Sequence, residues 1–331
     1  MKNHLLFLLT SIPSLLTSIP QASVASTDKL LATIELSLQA YQQQRLNMDL
    51  PASSISLDHQ QGLWITGQRS VWKWNFAGSK LFEINLVNDE APTPDQRLKK
   101  IASWDGELLV ASHRKIFKVS FDPLKVIEFR ASDEEAKTPQ TFGLQVQANR
   151  FFWLKSTGVW TMNKKEQILT KLYAHPHLKI GDKPAIDISQ KKLWIIRKNK
   201  LLAYSYEQEK KKPEVLLEIK YPFTGIKISG PDLIVHTRHT VLVLDKSGVI
   251  QKTIPVEAKR KLVLADIHLG QHSYLFHDRF LEVHKTREMR SLYSKVKIGR
   301  VKRAGQMIAR KNMLALILDG KPRVFQIEGQ W

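Results

Sequence analysis

The sequence predicts an all-β fold, a seven-bladed β-propeller built from four-stranded blades. Three observations lead there: one short apolar strand recurs along the chain, its spacing is nearly constant, and the same order of strands and turns surrounds every copy. The recurring strand reads Leu63-Trp64-Ile65-Thr66, Leu108-Leu109-Val110-Ala111, Phe152-Trp153-Leu154-Lys155, Leu193-Trp194-Ile195-Ile196, Leu233-Ile234-Val235-His236, Tyr274-Leu275-Phe276-His277 and Leu314-Ala315-Leu316-Ile317. Successive starts differ by 45, 44, 41, 40, 41 and 40 residues. A fixed period of this length is the signature of a repeat architecture, and four strands in about 40–45 residues is the unit of a propeller blade.

Each element follows from local pattern. A short polar turn such as Asp105-Gly106-Glu107 or Gly230-Pro231-Asp232 precedes the apolar strand. The strand is apolar throughout, as expected for the middle of a blade covered on both faces. An alternating strand follows, such as Val71-Trp72-Lys73-Trp74-Asn75 or Val241-Leu242-Val243-Leu244. After a polar turn such as Lys246-Ser247-Gly248 comes an outer strand, for example Leu81 to Leu86 or Val249 to Val256. Period-2 alternation broken by Gly, Pro, Asn and Asp reads as strands and turns.

The last repeat stops after its third strand, near Val324-Phe325-Gln326-Ile327. Asp28-Lys29-Leu30-Leu31-Ala32-Thr33-Ile34-Glu35-Leu36 resembles the outer strand Ser79-Lys80-Leu81-Phe82-Glu83-Ile84-Asn85-Leu86. Residues 29–36 are therefore expected to complete the seventh blade and leave no open edge in the ring. The competing expectation is a short helix, because Leu30, Ile34, Leu38 and Tyr41 share one helical face.

Residues 1–25 read as a secretory signal peptide. Lys2 forms the charged start, Leu5 to Leu9 open an apolar run, and Ser23-Val24-Ala25 supplies small residues for cleavage. Pro13 and Pro20 interrupt the run before it reaches the length of a membrane span. The expected organisation is thus 1–25 signal peptide, 26–50 closing segment and 51–331 propeller, in a periplasmic or secreted protein.

Composition bounds the chemistry. The chain has 331 residues, 51 Lys and Arg against 31 Asp and Glu, and a formal charge of +20. It holds no cysteine, which excludes disulfides, thiolate metal sites and cysteine nucleophiles. Phosphate-binding loops, serine-nucleophile elbows, zinc-protease helices and EF-hand loops are all missing, and no cofactor is expected.

The turns between second and third strands carry the strongest chemical signal. They contain Gln68-Arg69, His113-Arg114-Lys115, Lys155, Arg197-Lys198-Asn199-Lys200, Arg238-His239, Asp278-Arg279 and Lys321-Pro322-Arg323. Repetition would set these cations on one face, where their fields add. The candidate ligand-binding residues are Arg69, Arg114, Lys115, Arg197, Lys198, Arg238, His239, Arg279, Lys321 and Arg323. The partner they suit is an anionic polymer or an acidic protein surface, with nucleic acid less favoured. Acidic loops (Asp89, Glu90, Asp95; Asp133, Glu134, Glu135) should weaken the field over the first three blades.

His236 and His277 end the second strands of adjacent repeats and form the alternative, catalytic candidate pair, as a metal or acid–base pair. Asp187 and Asp266 lie in first strands and are weak candidates for a cation site in the channel. Trp64, Trp72, Trp74, Trp153, Trp160 and Trp194 fall at strand positions and are expected to pack between blades.

The phrases Gly62-Leu63-Trp64-Ile65-Thr66 and Phe76-Ala77-Gly78-Ser79-Lys80-Leu81 resemble the seven-bladed propellers of the NHL-repeat and streptogramin-lyase-like group. The resemblance implies the fold. It also implies that histidine chemistry can occur on such a scaffold, but no catalytic motif of the group aligns residue by residue with this chain. Propellers host binders, scaffolds and enzymes alike. The expected function is a non-enzymatic binding or scaffold propeller. The alternative is a lyase or hydrolase using His236 and His277.

Overall fold

The computed structural model describes residues 30–34 and most of 52–327, leaving out loop stretches such as 132–139, 257–261, 286–291 and 298–303. Every described element of regular structure is a β-strand, and together the strands make seven four-stranded sheets. The first strand is β1 (Leu30–Ile34). The first sheet holds β2 (Ser54–Leu57), β3 (Leu63–Thr66), β4 (Ser70–Trp74) and β5 (Lys80–Asn85). The second holds β6 (Lys100–Trp104), β7 (Glu107–Ala111), β8 (Lys115–Phe121) and β9 (Leu124–Arg130). The third holds β10 (Thr141–Gln147), β11 (Arg150–Lys155), β12 (Gly158–Asn163) and β13 (Thr170–Tyr173). The fourth holds β14 (Lys183–Asp187), β15 (Lys192–Arg197), β16 (Lys200–Ser205) and β17 (Glu214–Glu218). The fifth holds β18 (Phe223–Ser229), β19 (Asp232–Thr237), β20 (Thr240–Leu244) and β21 (Ile250–Pro255). The sixth holds β22 (Leu262–Ile267), β23 (His272–His277), β24 (Phe280–Lys285) and β25 (Leu292–Lys297). The last holds β26 (Ala304–Arg310), β27 (Met313–Leu318) and β28 (Lys321–Ile327), with β1 beside β28. Pairing is antiparallel throughout, as short hairpin turns require.

Each sheet packs face-on against the next. The recurring apolar strand is buried on both sides: Leu63, Ile65, Leu108, Leu109, Leu193 and Ile195 have no exposed surface. Trp104, Phe151, Trp153 and Trp160 join the second sheet to the third. Ile55 and Trp72 of the first sheet meet Ala315, Ile317 and Val324 of the last. All six tryptophans placed in strands from the sequence are buried core residues.

The first strand of each sheet lies innermost. β6 sits beside β2 and β10, β14 beside β10 and β18, and β26 beside β22 and β2. Side chains bridge these strands where backbone pairing is out of reach. Gln145 Nε2 donates to Ile186 O at 2.8 Å, and Ile186 N donates to Gln145 Oε1 at 3.0 Å. Between the first and last sheets, Ser54 Oγ and Ile55 N both donate to Gln306 Oε1, at 2.9 and 3.1 Å.

β1 is a strand over Leu30–Ile34, so the helical alternative does not hold there. Its register runs from Leu30 opposite Ile327 to Ile34 opposite Val324. Residues 1–29, which carry the expected signal peptide, lie outside the described residues.

Candidate functional site

Backbone hydrogen bonds show that the turns between second and third strands meet the inter-sheet loops on one face. Leu98 N donates to Gln68 O, His113 N to Asp95 O, Phe223 N to Lys198 O and Val256 N to His239 O. This face holds most of the cations picked out in the sequence, but local pairing divides them into two groups.

The first group is neutralised by neighbours. Arg114 is 3.1 Å from Asp95, and Lys115 is 3.0 Å from Glu128. Arg197 grips buried Asp182 with both Nε and Nη2, the shortest contact being 2.7 Å. These hydrogen bonds raise the Arg197 pKa above its ordinary value. Arg69 stands apart from this group: it is half-buried, its Nε has no hydrogen-bond partner among the described residues, and its backbone carbonyl accepts from Leu86 N and Val87 N.

The second group carries no carboxylate partner. Lys198 and Arg238 occupy the fourth- and fifth-sheet turns, Lys198 with φ 54°, and neither makes an ion pair among the described residues. His239, beside Arg238, packs edge-on against Tyr221 with ring centroids 5.5 Å apart. Arg279 lies outside the described residues.

Three of the expected turn cations, in two of the turns, are corrected. The last hairpin turns on Asp319 and Gly320, with φ 52° and 78°, and Lys321 and Arg323 lie inside β28. Paired positive φ angles match the twist of a two-residue hairpin, and Asp-Gly is the sequence that tolerates them. The third-sheet turn is Ser156-Thr157. Lys155 ends β11 with no exposed surface, its ammonium 4.4 Å from the Trp153 ring centroid. The face is therefore not basic at every turn.

The sequence reading missed a cation cluster on the innermost strands. Lys100 opens β6 and Lys183 opens β14, two sheets apart, so the two can interact only across the ring interior. Burial, together with the charge of Lys183, holds the Lys100 pKa below the usual lysine value. Desolvation of its ammonium does the same to Lys183, although the residue as a whole is exposed, and its Nζ donates to Thr224 O. Burial followed by the charge of Arg97 lowers Lys99. A shared repeat position, the first residue of the innermost strand, was the available sequence signal.

His236 lies beside this cluster. It is 6% exposed, its Nδ1 is 2.9 Å from Thr224 Oγ1, and Gly225 leaves the space its ring fills. Burial, then the charge of Lys183, pushes its pKa down to about 3. His113 accepts a 2.8 Å hydrogen bond from Thr141 N and is held at about 4, chiefly by burial and then by Lys99. The side chain of His277 lies outside the described residues, so the two histidines are not seen together. Among the described residues no three His, Asp or Glu side chains form a metal cluster.

Asp187 does not serve the channel. It ends β14 and is 2.8 Å from Lys246, with Ser189 Oγ donating to it at 2.7 Å. Burial would raise its pKa, but the hydrogen bonds from Lys246 and Ser189 outweigh this and hold the carboxyl below its usual range. The Asp266 side chain lies outside the described residues.

The opposite face carries a cavity of about 510 Å³ between the first two sheets, lined by Trp64, Phe82 and Phe121 among others. Trp64 stacks on Phe121 at 5.0 Å and meets Phe82 edge-on at 5.3 Å. Of its charged lining, Lys73 pairs with Asp58 and Glu107 pairs with Lys118, each at 3.0 Å.

His236 makes stability depend on pH. An imidazole ordinarily titrating near 6.5 that stays neutral to about 3 in the fold takes up its proton only on unfolding. Stability is then full above about 6.5 and declines as pH falls toward 3, by at most about 1.4 kcal/mol per pH unit. Urea midpoints measured from pH 7 to 4 should fall more steeply for the wild type than for His236→Gln. Equal slopes would place the titration elsewhere.

Seven similar modules packed face-on about a common interior, with the loops gathered at either end, define a β-propeller. No protein-family model matches the sequence, and no curated protein matches it. Solved structures do match in shape. A streptogramin B lyase aligns at TM-score 0.64 and 13% identity, over 85% of this chain and 96% of the lyase. YCF48 bound to a D1 peptide aligns at 0.66 and 7% identity, over 85% and 96%. The WD40 domain of Pan2 from Neurospora crassa aligns at 0.60 and 11% identity, over 85% and 90%. At such identities the likeness is one of fold.

Proposed function

We propose that this protein is an exported, non-enzymatic binding propeller. Its seven sheets close into a ring through residues 30–34, and one basic face captures an anionic envelope component or an acidic protein surface. The observation that carries this reading is the uneven pairing of charge. Among the described residues, Lys198 and Arg238 stand on the turn face without carboxylate partners, whereas Arg114, Lys115 and Arg197 are matched. The anion-accepting sector is thus the fourth and fifth sheets rather than the whole rim. Capture by such a surface is electrostatic and weakens as salt screens it. YCF48, a propeller of similar shape, is seen with a bound peptide, which supports a binding role for the scaffold.

The test is charge reversal read by binding to an anionic polymer at low and moderate salt. Lys198→Glu with Arg238→Glu is expected to weaken binding at least about tenfold, since two cations become two anions within a summed field. Arg114→Glu should weaken it much less, because Asp95 already neutralises that arginine. Equal losses from both variants, or none from either, would remove the proposed sector. The lyase or hydrolase alternative rests on His236 and His277, and the His277 side chain lies outside the described residues. His236 is buried, neutral and held by Thr224, which suits a packing role as well as a chemical one.

A further inference from the structure

We propose that the channel end bounded by Lys100 and Lys183 is a binding site for a single oxyanion group, a carboxylate or a phosphate. The inference deepens the binding reading above and rests on it for the source of the anion. The site lies within the ring rather than on the turns.

Position comes first. Lys100 and Lys183 open two innermost strands at the end where the turn face lies, since Lys99 N bonds Ala111 O at the close of β7 and Lys183 pairs with Ile196 near the close of β15. β10 separates the two strands, so their ammonium groups share the interior rather than one sheet.

Composition comes second. Lys100 makes no hydrogen bond or ion pair among the described residues. Lys183 donates to the carbonyl of Thr224, an acceptor that carries no full charge. The nearby carboxylates are already engaged, Asp182 by Arg197 and Asp95 by Arg114. His236 closes the same corner as a neutral ring, so it adds neither charge nor countercharge.

Two like charges brought near each other without a counter-ion among the described residues destabilise each other. Burial is the main reason the Lys100 pKa lies low, and the charge of Lys183 lowers it further. An incoming oxyanion relieves the repulsion, because each ammonium offers three donors and each carboxylate or phosphate oxygen accepts. Groups with perturbed titration that gather at one place are candidates for a functional site.

Free ions on the full chain test this without a polymer. The probes are inorganic phosphate and acetate, read by thermal midpoint and by calorimetric titration at constant ionic strength. For the wild type, at least one ion is expected to bind and to raise the midpoint. The tighter of the two tells whether a phosphate or a carboxylate is the natural group. Lys100→Met and Lys183→Met should each weaken binding at least about tenfold, and together abolish it. Without ligand, each variant should melt at or above the wild-type temperature, because a like-charge repulsion has been relieved.

Three results would overturn the proposal: neither ion binding the wild type, binding unchanged in the double variant, or ligand-free variants that melt lower. Failure here with polymer binding intact would discard the channel site and leave the basic face standing. Ion binding at the channel without polymer capture would do the reverse.

Discussion

Deleting residues 26–36 is expected to lower the thermal midpoint by more than about 10 °C and to broaden the transition. For a domain of this size each kcal/mol lost moves the midpoint by roughly 2–4 °C, so the prediction asks for a loss of several kcal/mol. The deletion removes β1, whose register against β28 runs from Leu30 opposite Ile327 to Ile34 opposite Val324. β28 would then become an open edge carrying unpaired backbone groups, which favours association between chains. The damage should also spread inward. Val324 belongs to the cluster in which Ile317 and Ala315 meet Ile55 and Trp72 of the first sheet, so loosening β28 loosens the seam between the last sheet and the first. A synthetic peptide of residues 26–36 added to the shortened chain should restore part of the midpoint. If the deletion leaves the midpoint unchanged, side-chain packing and the Gln306 bridge alone hold that seam, and the strand is ornamental.

The strands were legible because their cause is local. Burial on both faces requires apolar residues throughout, as in Leu193-Trp194-Ile195-Ile196, and the repeat spacing puts that requirement at regular intervals. Even β1, distant from its sheet in sequence, betrays itself by resembling the outer strand at Lys80–Asn85. Turn position was less legible. Lys321-Pro322-Arg323 reads as a turn because proline and charge usually avoid strands, yet Asp319-Gly320 supplies the two left-handed residues and leaves Pro322 opposite Ile317 in the ladder. The charge pattern was legible as a sum and not as pairs. Arg197 and Asp182 stand 15 residues apart and Arg114 and Asp95 stand 19 apart, and only the folded loops bring them together. Lys100 escaped notice for the converse reason. It sits in no run and no motif, and its interest comes from what does not face it.

Trp153→Ala should be the most damaging single substitution among the described core residues, costing about 4 kcal/mol or more, with Trp153→Phe costing about half as much. The indole is fully buried in the layer that joins the second and third sheets, among Trp104, Phe151 and Trp160. Truncation to alanine leaves a cavity that the strands on either side, fixed by their ladders, cannot collapse to fill. The indole also anchors a polar chain. Trp153 Nε1 donates to Thr141 Oγ1 at 3.0 Å, and Thr141 Oγ1 donates to Ser112 O at 2.6 Å, tying β11 through β10 to the turn of the neighbouring sheet. Both substitutions remove that donor, but phenylalanine keeps most of the packing, so the difference between the two variants isolates the volume contribution. Lys155 adds a further penalty specific to loss of the ring. Its ammonium has no exposed surface and lies 4.4 Å from the Trp153 ring centroid, and a buried cation that loses an aromatic face loses part of its solvation. Trp153→Ala combined with Lys155→Met should therefore be less destabilised than the separate losses predict. Additive losses in denaturant midpoints would show that Lys155 draws its stabilisation from other neighbours.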